Sequence, residues 1–358
     1  ARQVLFIITA ISLAVSLVCL IFQKPLLRLI FGSVDAEVMR ASETYFFYTA
    51  LSFPFIAAYD SAASIFRAQD NTRGPMLISM ISNVMNIVGN AVMIWVFHMG
   101  VAGAALSTLI SRVFCAVVVL IQLRKDRQEI VVRDYFKIRP NWSMIRRILG
   151  IGIPSGVENS MFQLGKLAIQ STVSTLGTAA IAAQAMTNIL ENLNGIAAIG
   201  VGVGLMTIVG QCLGAGRKDE AVYYIKKLCV IAEIVVLVSC LVVFALTKPV
   251  TILGGMEKQS ADMCFHMVMW ITLVKPFVWT MAFIPGYGLR AAGDVKFSMI
   301  TSCCTMWACR FCLCVFLIRG LGFGPMGVWI GMFADWTVRA IIFTCRFHSR
   351  KWLNHKVI

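Results

Sequence analysis

The chain is poor in charge, and above all in negative charge. Only 14% of its 358 residues are charged, and 32 Lys and Arg residues stand against 17 Asp and Glu residues. Soluble domains carry about 25% charged residues, so the composition argues against a soluble globular protein. The four His residues are scattered, and the sequence contains no G-x-x-x-x-G-K-[ST], G-x-S-x-G or H-E-x-x-H motif. These absences predict that the protein is not an enzyme and uses no cofactor, nucleotide or metal.

Long apolar runs take the place of the missing charge. Hydrophobic residues make up 59% of the chain, and the mean hydropathy is +0.80. At about 1.5 Å per residue, a run of about 18 residues or more can cross a hydrocarbon core of about 30 Å. The sequence predicts an all-α polytopic membrane protein with ten transmembrane helices, at about 3–22, 37–66, 76–97, 101–123, 145–172, 178–210, 221–246, 261–289, 296–318 and 325–346.

The net charge of +15 is distributed unevenly among the connections between these runs. Basic residues concentrate in alternate loops, including Arg67 and Arg73, the segment 124–147 and the tail from Arg346 onwards. Lys and Arg accumulate on the cytoplasmic side of membrane proteins. We therefore expect both termini to lie in the cytoplasm, in a multi-pass inner or plasma membrane, with lipids and not nucleic acid as partners.

The chain contains an internal duplication. Residues 24–32 (KPLLRLIFG) resemble residues 248–255 (KPVTILGG), and Val-Ala-Gly at 101–103 meets Pro-Met-Gly at 325–327 at the same offset. A repeat of this size predicts two similar bundles. Nothing in the first copy matches the stretch from about 144 to 224, so we expect the chain to lack the front of its first repeat.

The only long polar connection, at 124–147, separates the two copies. We place the domain boundary inside it, with an incomplete N-terminal lobe of four helices at 1–135 and a C-terminal lobe of six helices at 136–358. Because six crossings are an even number, both lobes are predicted to share one orientation, as parallel repeats. In such folds we expect the substrate site between the bundles, near the membrane midplane.

Polar residues inside the C-terminal crossings predict a first binding site. An ionisable group at mid-bilayer costs about 2.5–3.5 kcal/mol, so each needs a partner or a water-filled cavity. Counted from the ends of their helices, Glu158, Gln163 and Glu191 lie at a similar depth in the membrane. The predicted substrate or ion site consists of Glu158, Gln163, Glu191, Asn159, Asn188 and Asn192. The alternative is that they only form hydrogen bonds between helices.

Other intramembrane polar residues have simpler interpretations. Lys166 is expected either to bond Glu191 across the helix interface or to have a functional role, and the sequence leaves both open. Asp335 is expected to pair with Arg339 one helical turn later. The five Cys residues between 303 and 314 are expected to pack as small apolar side chains, because no His or acid lies near them in the sequence.

A second predicted site lies in the N-terminal crossings. Asn86 and Asn90 are one helical turn apart, and Thr108 lies at a similar depth on the next helix. Their amide and hydroxyl oxygens would suit a weakly held monovalent cation, although the group contains no carboxylate. Hydrogen bonding between the two helices is the alternative.

With these features in order, the chain resembles the multidrug and toxic compound extrusion (MATE) family of secondary antiporters. Gly-Ile-Pro at 152–154 opens a crossing, and QCLGAG at 211–216, followed by Asp-Glu-Ala at 219–221, is similar to the Gln-x-x-Gly-Ala-Gly loop of that family. In the first copy, NVMN at 83–86 and GVAGAA at 100–105 are similar to its fifth helix and hairpin. The likeness covers essentially the whole chain.

The resemblance implies twelve helices in two lobes, of which this chain would contain helices three to twelve. Some members hold a cation through an Asp on the first helix and Asn, Asp and Thr on the fifth and sixth; Asn86, Asn90 and Thr108 occupy the last three places, with Asn90 replacing the Asp. In other members a second-lobe acid stands where Phe162 is here, one turn after Glu158.

The resemblance and the missing nucleotide motif together predict a monomeric exporter of amphipathic, often cationic, small molecules. Exchange for H⁺ or Na⁺ would drive it through alternating access. A flippase for lipid-linked saccharides is one alternative, which the basic residues Lys166, Arg112 and Arg310 favour. A transport-inactive fragment is another, and a membrane-embedded enzyme is the least favoured.

Overall fold

The computed structural model describes residues 1–31, 36–125, 130–132 and 140–354, and every regular element within them is a helix. The principal α-helices are α1 Arg2–Ile21, α2 Gln23–Phe31, α3 Ala36–Ala68, α4 Arg73–Ala91, α5 Gly100–Leu123, α6 Trp142–Val173, α7 Thr178–Gly214, α8 Lys218–Leu253, α9 Lys258–Ala291, α10 Val295–Cys304, the short α11 Leu313–Val315 and α12 Met326–His348. Wider π-helical turns continue α4 over Val92–Val96, and flank α11 over Thr305–Cys312 and Phe316–Gly320. The all-α prediction is confirmed.

Eight of these helical stretches are long and apolar enough to cross a membrane. They are Arg2–Ile21, Arg73–Val96, Gly100–Leu123, Thr178–Gly214, Lys218–Leu253, Lys258–Ala291, Val295–Gly320 and Met326–His348. The other two predicted crossings, 37–66 and 145–172, lie within α3 and α6, which are helices of 33 and 32 residues. Both contain several ionisable side chains, which lowers their hydropathy without shortening them.

Helix α8 illustrates how the sequence produces a lipid-embedded helix. Ala232 and Val236 are wholly buried on one side, whereas Val230, Ile234 and Leu241 on the other side are exposed by 57–59%. All five are apolar, so this stretch of the helix is apolar on both its exposed and its buried side. The exposed stripe is suited to hydrocarbon and the buried stripe to neighbouring helices.

Contacts divide the chain into two compact units, Ala1–Leu149 and Gly150–Ile358. The boundary predicted between 135 and 136 lies outside the described residues. In the first unit, α3 packs against both α1 and α5, and α4 packs against α5. Its apolar core includes Phe66, Val119 and Leu123, none of which is exposed.

In the second unit, α7, α8 and α9 pack against one another, and α12 packs against α9 and against the π-helical segment Thr305–Cys312. The core is built around wholly buried aromatic and aliphatic side chains, including Trp329, Leu205 and Ile284. A smaller cluster around Val173 and Met306 joins α6 to the π-helical continuation of α10.

The duplication is visible in details of both units. The π-helical turns Val92–Val96 and Phe316–Gly320 are separated by the same offset as the two copies of the sequence repeat. A Cβ atom on Gly103 would lie 2.8 Å from the side chain of Met93. At the equivalent places of the second copy, a Cβ atom on Gly327 would lie 3.2 Å from the side chain of Leu317. Each copy therefore needs a glycine where the next helix passes the wide turn.

We expect Gly103→Ala and Gly327→Ala each to destabilise the protein by about 1–3 kcal/mol, because the added methyl group would enter an occupied space. Thermal unfolding in detergent, followed by Trp fluorescence, would show a lower midpoint. Gly204→Ala is the matched control, since a Cβ there has no neighbour within 4 Å. Equal midpoints for all three variants would contradict this role for the two glycines.

Candidate functional site

The C-terminal unit contains a polar cavity of about 350 Å³. Side chains from α6, α7, α9, α12 and the segment Thr305–Cys312 line it, and an adjoining cavity of about 470 Å³ shares part of its wall. The shared residues are Gln163, Lys166, Glu191, Asn192, Arg310 and Met332. We refer to the two together as the C-terminal cavity.

Small residues allow the helices to come close around this cavity. A Cβ on Gly165 of α6 would clash with the side chain of Met306, and one on Gly331 of α12 would lie 2.9 Å from the carbonyl oxygen of Arg310. Both glycines therefore hold the segment Thr305–Cys312 against its neighbours. The position of Arg310 follows from this packing.

Three ion pairs stand in or beside the wall of the cavity. Arg290 binds Glu158 at 2.5 Å, Lys275 binds Glu191 at 2.7 Å, and Arg339 binds Asp335 at 3.1 Å. The predicted pair between Asp335 and Arg339 is confirmed. Arg339 also donates to the hydroxyl groups of Ser302 and Thr305, so its charge is well supported.

The bond between Lys166 and Glu191, one of the two alternatives for Lys166, is wrong, because Glu191 pairs with Lys275 instead. The other alternative, a functional role of Lys166, stays a prediction. Lys275 is completely buried and lies 5.0 Å from the ring of Trp279, which favours a cation. Sequence reasoning missed Lys275 and Arg290, although both stand inside or at the end of the apolar run predicted at 261–289. An ionisable residue in such a run was the available signal.

The structure brings all six predicted C-terminal site residues to the C-terminal cavity. Glu158, Asn159, Gln163, Glu191 and Asn192 line the first part, and Asn188 lines the second. The amide of Asn159 bonds its own helix at the Ser155 carbonyl, and Asn188 accepts a bond from Gln184. Their proximity agrees with the sequence analysis, whereas their role in binding stays a prediction.

The cavity carries an excess of positive charge. Two acidic residues line it, Glu158 and Glu191, and four basic residues, Lys166, Arg290, Arg310 and Arg339. Arg290 and Arg339 belong to the ion pairs above. In the described part of the chain, no carboxylate oxygen lies within 4.0 Å, the limit for an ion pair, of the side-chain nitrogens of Lys166 or Arg310.

The three predicted N-terminal residues also lie together. Asn86 donates to the Thr108 hydroxyl at 3.2 Å, and Asn90 donates to the side-chain oxygen of Asn86 at 3.3 Å. The Oδ1 atom of Asn90 is buried and accepts no hydrogen bond from the described residues. This oxygen is free to accept a proton donor or to coordinate a cation.

Comparison with known proteins assigns the family. The MatE family model matches residues 1–92 and 154–316, which is more than half of the chain. The chain belongs to the MatE family. MatE proteins are transporters and not enzymes, which confirms the absence of an enzymatic function predicted from the sequence.

Individual relatives support the MatE assignment. The probable multidrug resistance protein NorM of Thermotoga maritima is 26% identical over 336 residues, covering 92% of this chain and 71% of that protein. The uncharacterized transporter YisQ of Bacillus subtilis is 27% identical over 357 residues, covering 96% and 76%.

The fold is also similar to that of a solved MatE structure. An outward-facing conformation of a multidrug resistance MATE family transporter of the MOP superfamily superposes with a TM-score of 0.85 at 18% identity, covering 98% of this chain and 78% of that one. The chain thus has the fold of that structure. Its membership in the MatE family makes it a multi-span membrane transporter.

We expect Glu191→Gln to destabilise this MatE chain by about 3 kcal/mol, because it leaves the buried ammonium group of Lys275 without its partner. The double variant Glu191→Gln with Lys275→Met should recover most of the loss. Unfolding midpoints of the two single variants and the double variant would measure the coupling. Additive losses would show that the pair does not stabilise the fold.

Proposed function

We propose that the chain exports small amphipathic molecules by alternating access, in exchange for H⁺ or Na⁺. Membership in a transporter family and relatives named for multidrug resistance support the export of small molecules. The sequence contains no nucleotide-binding motif, which supports an ion gradient as the source of energy. The Met and Trp side chains of the C-terminal cavity, Met332, Trp279 and Trp336, offer adaptable apolar contact.

The proposed coupling mechanism rests on the hydrogen bonding of the Glu158 carboxylate. The Oε1 atom of Glu158 accepts from Arg290, but its Oε2 atom is buried without any hydrogen-bond partner in the described residues. Buried polar atoms are normally satisfied, so an unsatisfied carboxylate oxygen beside a cavity is suited to binding a ligand. A proton, a Na⁺ ion or a cationic group of the substrate would compete for this oxygen, and such competition exchanges one for the other.

The N-terminal cluster is a second candidate for the coupling ion. Asn86, Asn90 and Thr108 present neutral oxygens, which suit Na⁺ but cannot release a proton at physiological pH. If Na⁺ drives transport, we expect it to bind here through Oδ1 of Asn90. If H⁺ drives transport, Glu158 is the group that exchanges it.

Glu158→Gln should reduce gradient-driven ethidium transport by about tenfold or more, because the amide cannot carry a negative charge. The measurement uses proteoliposomes of the chain, loaded with ethidium and given a H⁺ or a Na⁺ gradient. Glu220→Gln is the control, since Glu220 is half exposed and paired with Arg217 at the start of α8. Ethidium movement that is independent of both gradients would contradict antiport.

Asn90→Ala separates the two coupling ions. We expect it to abolish transport driven by a Na⁺ gradient and to leave transport driven by a H⁺ gradient unchanged, because only Na⁺ would use the amide oxygen. The same proteoliposomes provide the measurement. Equal loss with both gradients would show that Asn90 is needed for the fold or the substrate and not for ion choice.

The excess positive charge of the cavity favours one second candidate, a flippase for lipid-linked saccharides, whose phosphate groups would meet Lys166 and Arg310. Movement of a fluorescent lipid-linked saccharide across the proteoliposome membrane, without movement of ethidium, would establish that function in place of drug export.

A further inference from the structure

Three cations of the C-terminal cavity lie against the ring of Phe162. Arg339, at 5.9 Å from the ring centroid, is paired with Asp335, whereas the other two have no acidic partner among the described residues. The ammonium nitrogen of Lys166 lies 5.2 Å from the ring centroid of Phe162, and the guanidinium carbon of Arg310 lies 5.3 Å from the same centroid. All three residues line the cavity. The ring attracts each cation weakly, so it places two like charges near one another without neutralising either.

Arg310 is the less expected of the two, because its side chain is only 7% exposed. Its Nε atom forms no hydrogen bond with the described residues. The acids close enough to act on it, Asp335 and Glu191, are already held by Arg339 and Lys275. A buried guanidinium group without a bonded acceptor is unfavourable for folding alone.

The duplication shows that the fold itself does not require this charge. Arg310 occupies the place in the second copy that Asn86 occupies in the first, and Met332 likewise corresponds to Thr108. In the first copy Asn86 and Thr108 bond each other and are neutral. In the second copy, Arg310 and Met332 occupy these places. The position that gains a charge therefore faces a methionine, which offers no hydroxyl group to bond.

The backbone around Arg310 also departs from a regular helix. It lies in the π-helical segment Thr305–Cys312, and such wide turns occur frequently at functional sites. Gly331 keeps α12 close to the carbonyl oxygen of Arg310, which fixes the start of its side chain. The guanidinium group is thus held at the wall of the cavity by the packing of the backbone.

We propose that Lys166, Arg310 and Phe162 form a subsite for the anionic group of an amphipathic substrate. The ligand class is a carboxylate, sulfonate or phosphate attached to an aromatic or apolar body. Arg310 would donate two parallel hydrogen bonds to such a group, and Lys166 would add a third. The proposal rests on the proposed transport function and changes its expected substrate, because cationic molecules alone would leave these two charges unused.

The apolar part of such a ligand has a place in the same cavity. Trp336, Phe283 and Met332 line it beside the cations. Glu158 stands in the same wall with an oxygen that accepts no hydrogen bond from the described residues, so zwitterions could use both charges. A molecule with an anionic group on an aromatic frame matches this distribution of charged and apolar surface.

The test compares two dyes with one xanthene frame, the anion fluorescein and the cation rhodamine 6G. Their binding to the chain in phosphatidylcholine nanodiscs is measured by fluorescence anisotropy. We expect Arg310→Gln and Lys166→Gln each to weaken fluorescein binding by about tenfold. Neither variant should weaken rhodamine 6G binding. Arg217→Gln, on the exposed start of α8, is the control.

Two further measurements exclude a purely structural role. Arg310→Lys should bind fluorescein more tightly than Arg310→Gln, because it keeps the charge. Removing an unpaired buried charge should leave the unfolding midpoint of Arg310→Gln unchanged or higher. Equal weakening of both dyes, or unchanged fluorescein binding in the Lys166 and Arg310 variants, would overturn the proposal.

A lipid headgroup is a second source of the same anionic chemistry. To distinguish the two sources, fluorescein binding by the chain and by its Arg310→Gln variant is measured again in nanodiscs that contain phosphatidylglycerol. The difference in fluorescein binding between the two proteins is the part that depends on Arg310. If phosphatidylglycerol removes this difference, the subsite takes a lipid phosphate, which supports the subsite. If the difference persists, the subsite prefers a free anionic molecule, which supports it equally.

The dye measurements are made without an ion gradient, so they are independent of coupled transport. Failure of gradient-driven ethidium transport together with intact, Arg310-dependent fluorescein binding would therefore count against antiport and not against the subsite.

Discussion

The burial of charge in a membrane-embedded bundle is the constraint on which the C-terminal unit depends. Lys275 is inaccessible to solvent, and Glu191 and the ring of Trp279 are what make its charge tolerable there. Removing two charges from water is costly, and only close pairing offsets it. The pair joins α7 to α9 at the wall of the cavity, so the same interaction stabilises the fold and fixes a carboxylate at the candidate site.

The three ion pairs are not equivalent. Asp335 and Arg339 lie on one helix and are both buried, and Arg339 also donates hydrogen bonds to the hydroxyl groups of Ser302 and Thr305. This arrangement is suited to stabilising the fold. Glu158 and Arg290 join α6 to α9 and leave one carboxylate oxygen without a hydrogen bond from the described residues. The Oδ2 atom of Asp335 likewise accepts no hydrogen bond from the described residues. Of the two acids, only Glu158 lines the C-terminal cavity, and this difference in position separates a pair suited to stabilising the fold from a pair suited to exchanging a ligand.

The sequence analysis predicted some contacts better than others, for physical reasons. The Asp335–Arg339 pair was predictable because residues four apart on a helix are neighbours whatever surrounds them. The contact among Asn86, Asn90 and Thr108 was predictable because a short hairpin fixes the relative depth of two helices. The partner of Glu191 was not, because α7 has several neighbouring helices and its rotation decides which of them each side chain faces.

By itself the sequence determined that the protein is a duplicated helical membrane protein, that its family is MatE, and which polar residues stand within its apolar helices. Periodicity, length and composition act locally or along the chain, so one sequence is enough to show them. Only the tertiary structure decided that Lys275 neutralises Glu191, and that Lys166 and Arg310 meet around Phe162 without an acidic partner among the described residues. Ion pairing depends on distances of a few ångströms between helices, and these are set by close packing at residues such as Gly165 and Gly331.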